Sequence, residues 1–378
     1  MYYVEWMAWL LNIKSDQWFE ENMGEAEDSK KSLMEPVYAE SVTEDKARQA
    51  AKRFAYAETR GPVYACNDTY LEMRCGGMED KRGLVTFISG AFVLLLFGMW
   101  VDFALPIYLA LIRGNEPVFG RPLDIGDIFY AVFVTLISGT PLWFYFKYAF
   151  RFTRLEALTS RHLLIRFNRI TRQVYLHRPP SCGGIVVVPW EGVSTEEIAG
   201  QRLLVGWFPG DTPLPFPVMA FVGKQSSSAD DLKAEWEFIR RYMNEGGLQA
   251  IPKPRISSQL PLPWQAFIAQ FEASGPFLHN GGPLIWLGCL MISPAFVIVG
   301  LSHWASLLLC WRPRWPKVLR EAGLPGKPVP ALSTADDYPP GVREQLLANE
   351  HRWAVRPGRR PERKGSARGT DRSIRGQP

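Results

Sequence analysis

Two apolar runs, Leu84 to Ile112 and Ile128 to Phe150, are joined by a short polar loop. A bilayer's hydrocarbon core is about 30 Å thick and takes about 20 residues at helical rise. A helix in a soluble core is seldom apolar on every side for that length. The pair predicts a transmembrane helical hairpin over 84–150, so whatever this chain does is done at a membrane. The rest of the 378 residues then falls into a region before the hairpin (1–83) and three after it (151–247, 260–311, 312–378).

Basic residues near span ends are retained on the cytosolic side. Arg74, Lys81 and Arg82 precede the first run, and Lys147, Arg151, Arg154 and Arg161 lie at or after the end of the second. The loop between the runs holds only Arg113 and Arg121. This bias predicts cytosolic ends for the hairpin, with the N-terminus and the region after the hairpin on the same side. Asp102 is a carboxylate inside the first run. If the helix starts at Leu84 it lies about 27 Å along, near the outer headgroups, whereas a span from Phe92 would put it at mid-depth, where charge is functional.

The net charge of +5 hides an asymmetry. From Arg312 onward there are 15 basic and 7 acidic residues, so the excess belongs to the tail and not to a folded nucleic-acid-binding face. No specific nucleic-acid partner is expected. The five cysteines are scattered without a C-x-x-C pair, against a disulfide framework or a zinc site. The opening MYYVEWMAWLLNIK carries Glu5 and no basic start, unlike a signal peptide. Trp6, Leu10 and Ile13 share a helical face and predict a packed or interface-lying helix. Ser41 to Glu44 has capping-box spacing ahead of an Ala-rich helix expected over Lys46–Ala57.

After the second run the pattern changes to period two. Strands are expected at 162–167, 173–177, 184–190, 202–208 and 217–223. A helix from Ala229 to Glu245 then carries the stripe Leu232, Trp236, Ile239 and Met243. Five to seven antiparallel strands closed by one helix resemble bacterial pleckstrin-homology-like modules; a small split barrel is the alternative. A third apolar stretch, Leu284 to Trp311, contains Pro294 and the intramembrane polar residue His303. It can span once, or be broken at Pro294 into a re-entrant hairpin that keeps the basic tail inside; the charge bias favours the second. Residues 260–277 are expected in the interface. Beyond Lys327 the tail is rich in Pro, Gly and Arg and is expected to be disordered.

Four motifs occur in a distinctive order: NDTYLEM (67–73), IRFNRITRQVYLHR (165–178), VVVPWEG (186–192) and RPRWPKVLREA (312–322). With them the chain, over roughly residues 60–325, resembles a family of proteobacterial inner-membrane proteins of unknown function. Members of that family are often encoded beside type VI secretion toxins. The resemblance implies a bacterial inner-membrane protein with an immunity or accessory role, whose partner is a secreted toxin or the secretion apparatus. It carries over no catalytic residue.

The sequence lacks G-x-S-x-G, a Walker loop, G-x-G-x-x-G and H-E-x-x-H, so no enzyme, cofactor or metal site is expected. Arg166, Arg169, Arg172 and Arg178 on or beside the first β-hairpin are candidates for lipid-headgroup or partner contact. The expected function is non-enzymatic binding of another protein by the cytosolic module. The alternatives are a lipid-sensing membrane scaffold and a transporter-like role centred on Asp102 and Pro294.

Overall fold

A computed structural model describes residues 2–18, 37–38, 54–78, 81–114, 117–118, 120–197, 200–271, 282–353 and 355–356. Helix α1 (Tyr3–Ile13) is followed by strands β1 (Val63–Cys66) and β2 (Tyr70–Cys75). The first apolar run forms α2 (Leu84–Phe103) and α3 (Leu105–Ile112), which turn at Ala104 just before Pro106. The second forms α4 (Ile125–Phe144), a π-helical turn at Tyr145–Ala149, and α5 (Phe150–Thr153). Pro141 sits one turn before that π segment and, lacking an N–H, disturbs the hydrogen-bond ladder there.

The period-two stretches become β3 (Leu163–Asn168), β4 (Gln173–His177), β5 (Ile185–Pro189), β7 (Leu203–Trp207) and β8 (Val218–Val222), with a short β6 (Ser194–Glu196) before β7. Helix α6 (Ala229–Asn244) buries Leu232, Trp236, Ile239 and Met243 as the stripe predicts. Ser228 Oγ accepts from Asp230 N at its start. The sheet runs β5-β4-β3-β2-β8-β7-β6, with β1 also paired to β2. Every pair of neighbouring strands in it is antiparallel.

One strand of this sheet comes from an unexpected place. β2 precedes the first apolar run, yet it pairs with β3 over its whole length, from Tyr70↔Asn168 to Cys75↔Leu163. The first two apolar runs thus lie in a long insertion between two neighbouring strands. The sheet therefore extends beyond the expected 151–247 module into residues 63–75.

The third apolar stretch forms one helix, α8 (Pro283–Leu308), which continues through Pro294. The break expected there, and the re-entrant hairpin built on it, are absent: a single proline removes one hydrogen bond and bends a helix more often than it ends one. The short helix α7 (Pro263–Phe271) lies against the C-terminal half of α8, where the Phe267 ring occupies the space a side chain on Gly300 would need. Three helical segments, Leu84–Ile112, Ile125–Thr153 and Trp286–Leu308, are long and apolar enough to cross a membrane.

The expectation of disorder beyond Lys327 is corrected over residues 328–353, while residues 357–378 lie outside the described residues. Residues 312–353 form a strap on the module, with α9 (Lys317–Glu321) and α10 (Pro340–Ala348). The strap covers the outer face of β3 and β4, so Leu164, Arg166 and Asn168 are buried along with the inward-facing Ile165 and Phe167. Asn168 Nδ2 donates to Ala322 O at 2.9 Å, and Gln173 Nε2 to Pro330 O at 2.9 Å. Further on, Tyr338 stacks on Trp9 of α1, and Asn349 Nδ2 donates to Asn12 O. The segment stays ordered because it satisfies sheet polar groups, although it has few apolar residues of its own. Helix α1 is packed, with Trp9 and Leu10 in the core. The helix expected over Lys46–Ala57 lies mostly outside the described residues, and residues 54–57 are not helical.

Candidate functional site at the membrane junction

The three apolar segments meet the β module at one buried polar knot. Arg82, directly before α2, has no exposed surface, and all its N–H groups are engaged. Nε donates to Ser306 Oγ at 2.8 Å. Nη1 donates to Arg161 O at 2.6 Å and Tyr2 OH at 3.3 Å. Nη2 donates to Glu156 O at 2.8 Å and Cys310 Sγ at 3.0 Å. One guanidinium therefore joins the start of the first segment to the chain after the second and to the end of the third.

The same knot caps the helix ends with opposite charges. Glu156 Oε1 accepts from Gly83 N at 2.7 Å and Thr86 N at 2.9 Å, at the positive end of α2. Arg161 donates to Leu307 O at 3.0 Å and Cys310 O at 3.0 Å, at the negative end of α8. Gly83 has φ 105°, and a side chain there would meet the backbone of Val299 and His303 at about 2.6 Å. Glycine is required for α8 to come that close.

Beside this knot lies a cleft of about 530 Å³ between the module, α7 and the end of α8. Its module wall is fixed by the parallel bridge of Val63 with Ile256 and by Ser257 N donating to Val63 O at 2.7 Å. Its helical wall is held by Trp304 Nε1 on Pro261 O at 2.9 Å and by Gln270 Nε2 on His303 Nδ1 at 2.8 Å. Four cations line it: Arg60, Arg74, Lys224 and Arg255. His162, stacked near Tyr64, and His303 line it too. None of the described lining residues is acidic. Two carboxylates bond to its lining: Asp231, paired with Arg60, and Glu235, which accepts from Thr59 Oγ1 and Gly61 N. Burial pushes the Glu235 carboxyl up to about 7, against the hydrogen bonds from Thr59 and Gly61 and the fields of Arg60 and Arg202. The apolar side of the cleft is Trp264, Ile268 and Leu307.

The four hairpin arginines do not converge. Arg166 is buried in an ion pair with Glu72 at 2.6 Å, between the rings of Tyr70 and Trp315. Arg169 donates to Asp68 O, and Arg172 to Glu191 Oε1 at 2.7 Å and to Asn244 Oδ1 at 2.9 Å. Both sit at the β3–β4 turn, at the far end of β3 from the apolar helices. Arg178 donates to Met219 O at 2.6 Å. Asp102 is exposed near the end of α2. His303 lines the cleft floor, well away from Asp102 along the helices. His177 lies against Trp315, and no cluster of metal-ligating side chains occurs among the described residues. Burial pushes the Cys66 thiol up to about 11 and those of Cys75 and Cys182 to about 12, which keeps these three protonated at neutral pH.

Sequence reasoning missed the cleft because its cations come from residues 60, 74, 224 and 255, each unremarkable alone. Arg82 was visible only as one of the basic flanking residues. Compared with known proteins, the chain matches no family model, no curated protein and no solved structure.

Proposed function

We propose that this chain is a multi-pass bacterial inner-membrane protein, with its N-terminus and β module in the cytosol, that acts by binding and not by catalysis as a lipid-sensing scaffold. The observation that carries this reading is the junction. The module is keyed into the ends of all three apolar segments through Arg82, and a cationic cleft opens at that level. A module fixed in this way keeps one face against the lipid headgroups, where each basic residue gains about 1 kcal/mol from an anionic surface. The resemblance of the sequence pattern to pleckstrin-homology-like modules agrees with this role. A protein partner, such as the secreted toxin implied by the family resemblance, would meet a platform already held at the bilayer. The β5 edge at Val187 is occupied by Ser333 of the strap, which leaves the other surfaces for it.

The test is a crosslinked pull-down from gently solubilised native membranes, with lipids and proteins both identified by mass spectrometry. Anionic phospholipid enriched over the bulk membrane is the expected result. Lipid recovered in bulk proportions, with a near-stoichiometric secreted toxin, would replace the scaffold by an immunity protein.

A further inference from the structure

We infer that the junction cleft holds one anionic phospholipid, its phosphate among Arg60, Arg74, Lys224 and Arg255. The acyl chains would run along Trp264, Ile268 and Leu307. This rests on the lipid-sensing reading and names the site and the ligand. Charge is the first argument: four cations and two histidines line about 530 Å³ with no acidic residue among the described lining. Arg60 gives one nitrogen to Asp231, yet half of its side chain stays exposed. Arg255 is exposed at the rim.

Apolar continuity is the second. Ile256, Leu260, Trp264 and Ile268 are all exposed at steps of four residues. Ile256, Trp264 and Ile268 line the cleft, and Leu301 and Leu308 of α8 are exposed as well. A free phosphate would use the cations and leave Trp264 and Ile268 uncovered. An acidic peptide would have to reach a site whose outer wall is a membrane helix. A phospholipid satisfies both halves, because its charge and its chains are joined in one molecule and enter from the bilayer side.

The full-length protein is reconstituted in phosphatidylcholine nanodiscs with and without phosphatidylglycerol, and lipid retained after extraction is measured by native mass spectrometry. Wild type is expected to keep phosphatidylglycerol over phosphatidylcholine. Arg74→Glu with Arg255→Glu is expected to weaken that retention about tenfold or more, while Arg343→Glu on α10 leaves it unchanged. Inorganic phosphate is expected neither to displace the lipid nor to raise the melting temperature as the lipid does. If the double variant fails to melt cooperatively in phosphatidylcholine, Trp264→Ala and Arg255→Gln decide, each expected to reduce retention. Unchanged retention in the cleft variants overturns the site and leaves the scaffold reading standing. No preference in wild type overturns both. Displacement by inorganic phosphate overturns the lipid as occupant.

Discussion

A buried guanidinium whose five N–H groups reach three separate stretches of chain, at Tyr2, 156–161 and 306–310, tolerates little change. Arg82→Met would leave the carbonyls of Glu156 and Arg161 without that donor in a dry site. It is expected to cost about 3 kcal/mol, and Arg82→Lys less, read as the loss of melting temperature in detergent. Glu235 makes the opposite kind of prediction. Its carboxyl titrates near 4.5 in the unfolded chain and about 7 in the folded one. Between those values the folded protein holds the proton that the unfolded chain has lost, so stability falls as pH rises through the window, by up to roughly 3 kcal/mol. Glu235→Gln keeps the acceptor for Thr59 and Gly61 without the charge. It is expected to flatten that dependence and to melt higher than wild type at about pH 8; an equal slope in the two proteins would refute the assignment. Neither residue stands out in the sequence, because a side chain's burial is set by segments remote from it.

At the scale of elements, the strap decides more than its composition suggests. Trp315 donates to Glu72 Oε2 at 2.7 Å, covers the Arg166 guanidinium and lies edge-on to Tyr175 and His177. Trp315→Ala is expected to destabilise the module by about 2–3 kcal/mol and to speed amide exchange in β3 and β4, since both the packing and the cover of a buried ion pair are lost. Ending the chain after Lys327 removes Tyr338 from Trp9 and Leu346 from the core. Faster proteolysis within α1 is the expected consequence. The strands and α6 were legible because period two and period 3.6 are local signals. The strap was not, because its order comes from hydrogen bonds such as Asn168 to Ala322, which no local pattern encodes. β1 and β2 were missed for a related reason: β1 is short, and the main partner of β2 lies beyond the first two apolar runs.

At the scale of the molecule, the pairing of β2 with β3 and the Arg82 knot bring the start of α2, the chain after α5 and the end of α8 to one place. Helix α8 has 26 residues and is about 39 Å long, so its Pro283 end lies a bilayer's thickness from that place. Under the proposed topology, a cysteine at Gly282 is expected to react with an impermeant thiol reagent from the side opposite to one at the exposed Ala331 of the strap. Labelling of both from the same side would mean that α8 does not cross. The sequence by itself determined which segments are apolar enough to enter a bilayer, where the chain alternates as strands, and where one amphipathic helix closes them. Those properties follow from the residue content and spacing of continuous stretches. Tertiary structure alone decided that two apolar runs interrupt a sheet, that residues 312–353 become a strap, and that four cations distant in sequence face one apolar wall. Each of these depends on pairing and burial between segments far apart in the chain, where the partner and not the local pattern sets the free energy.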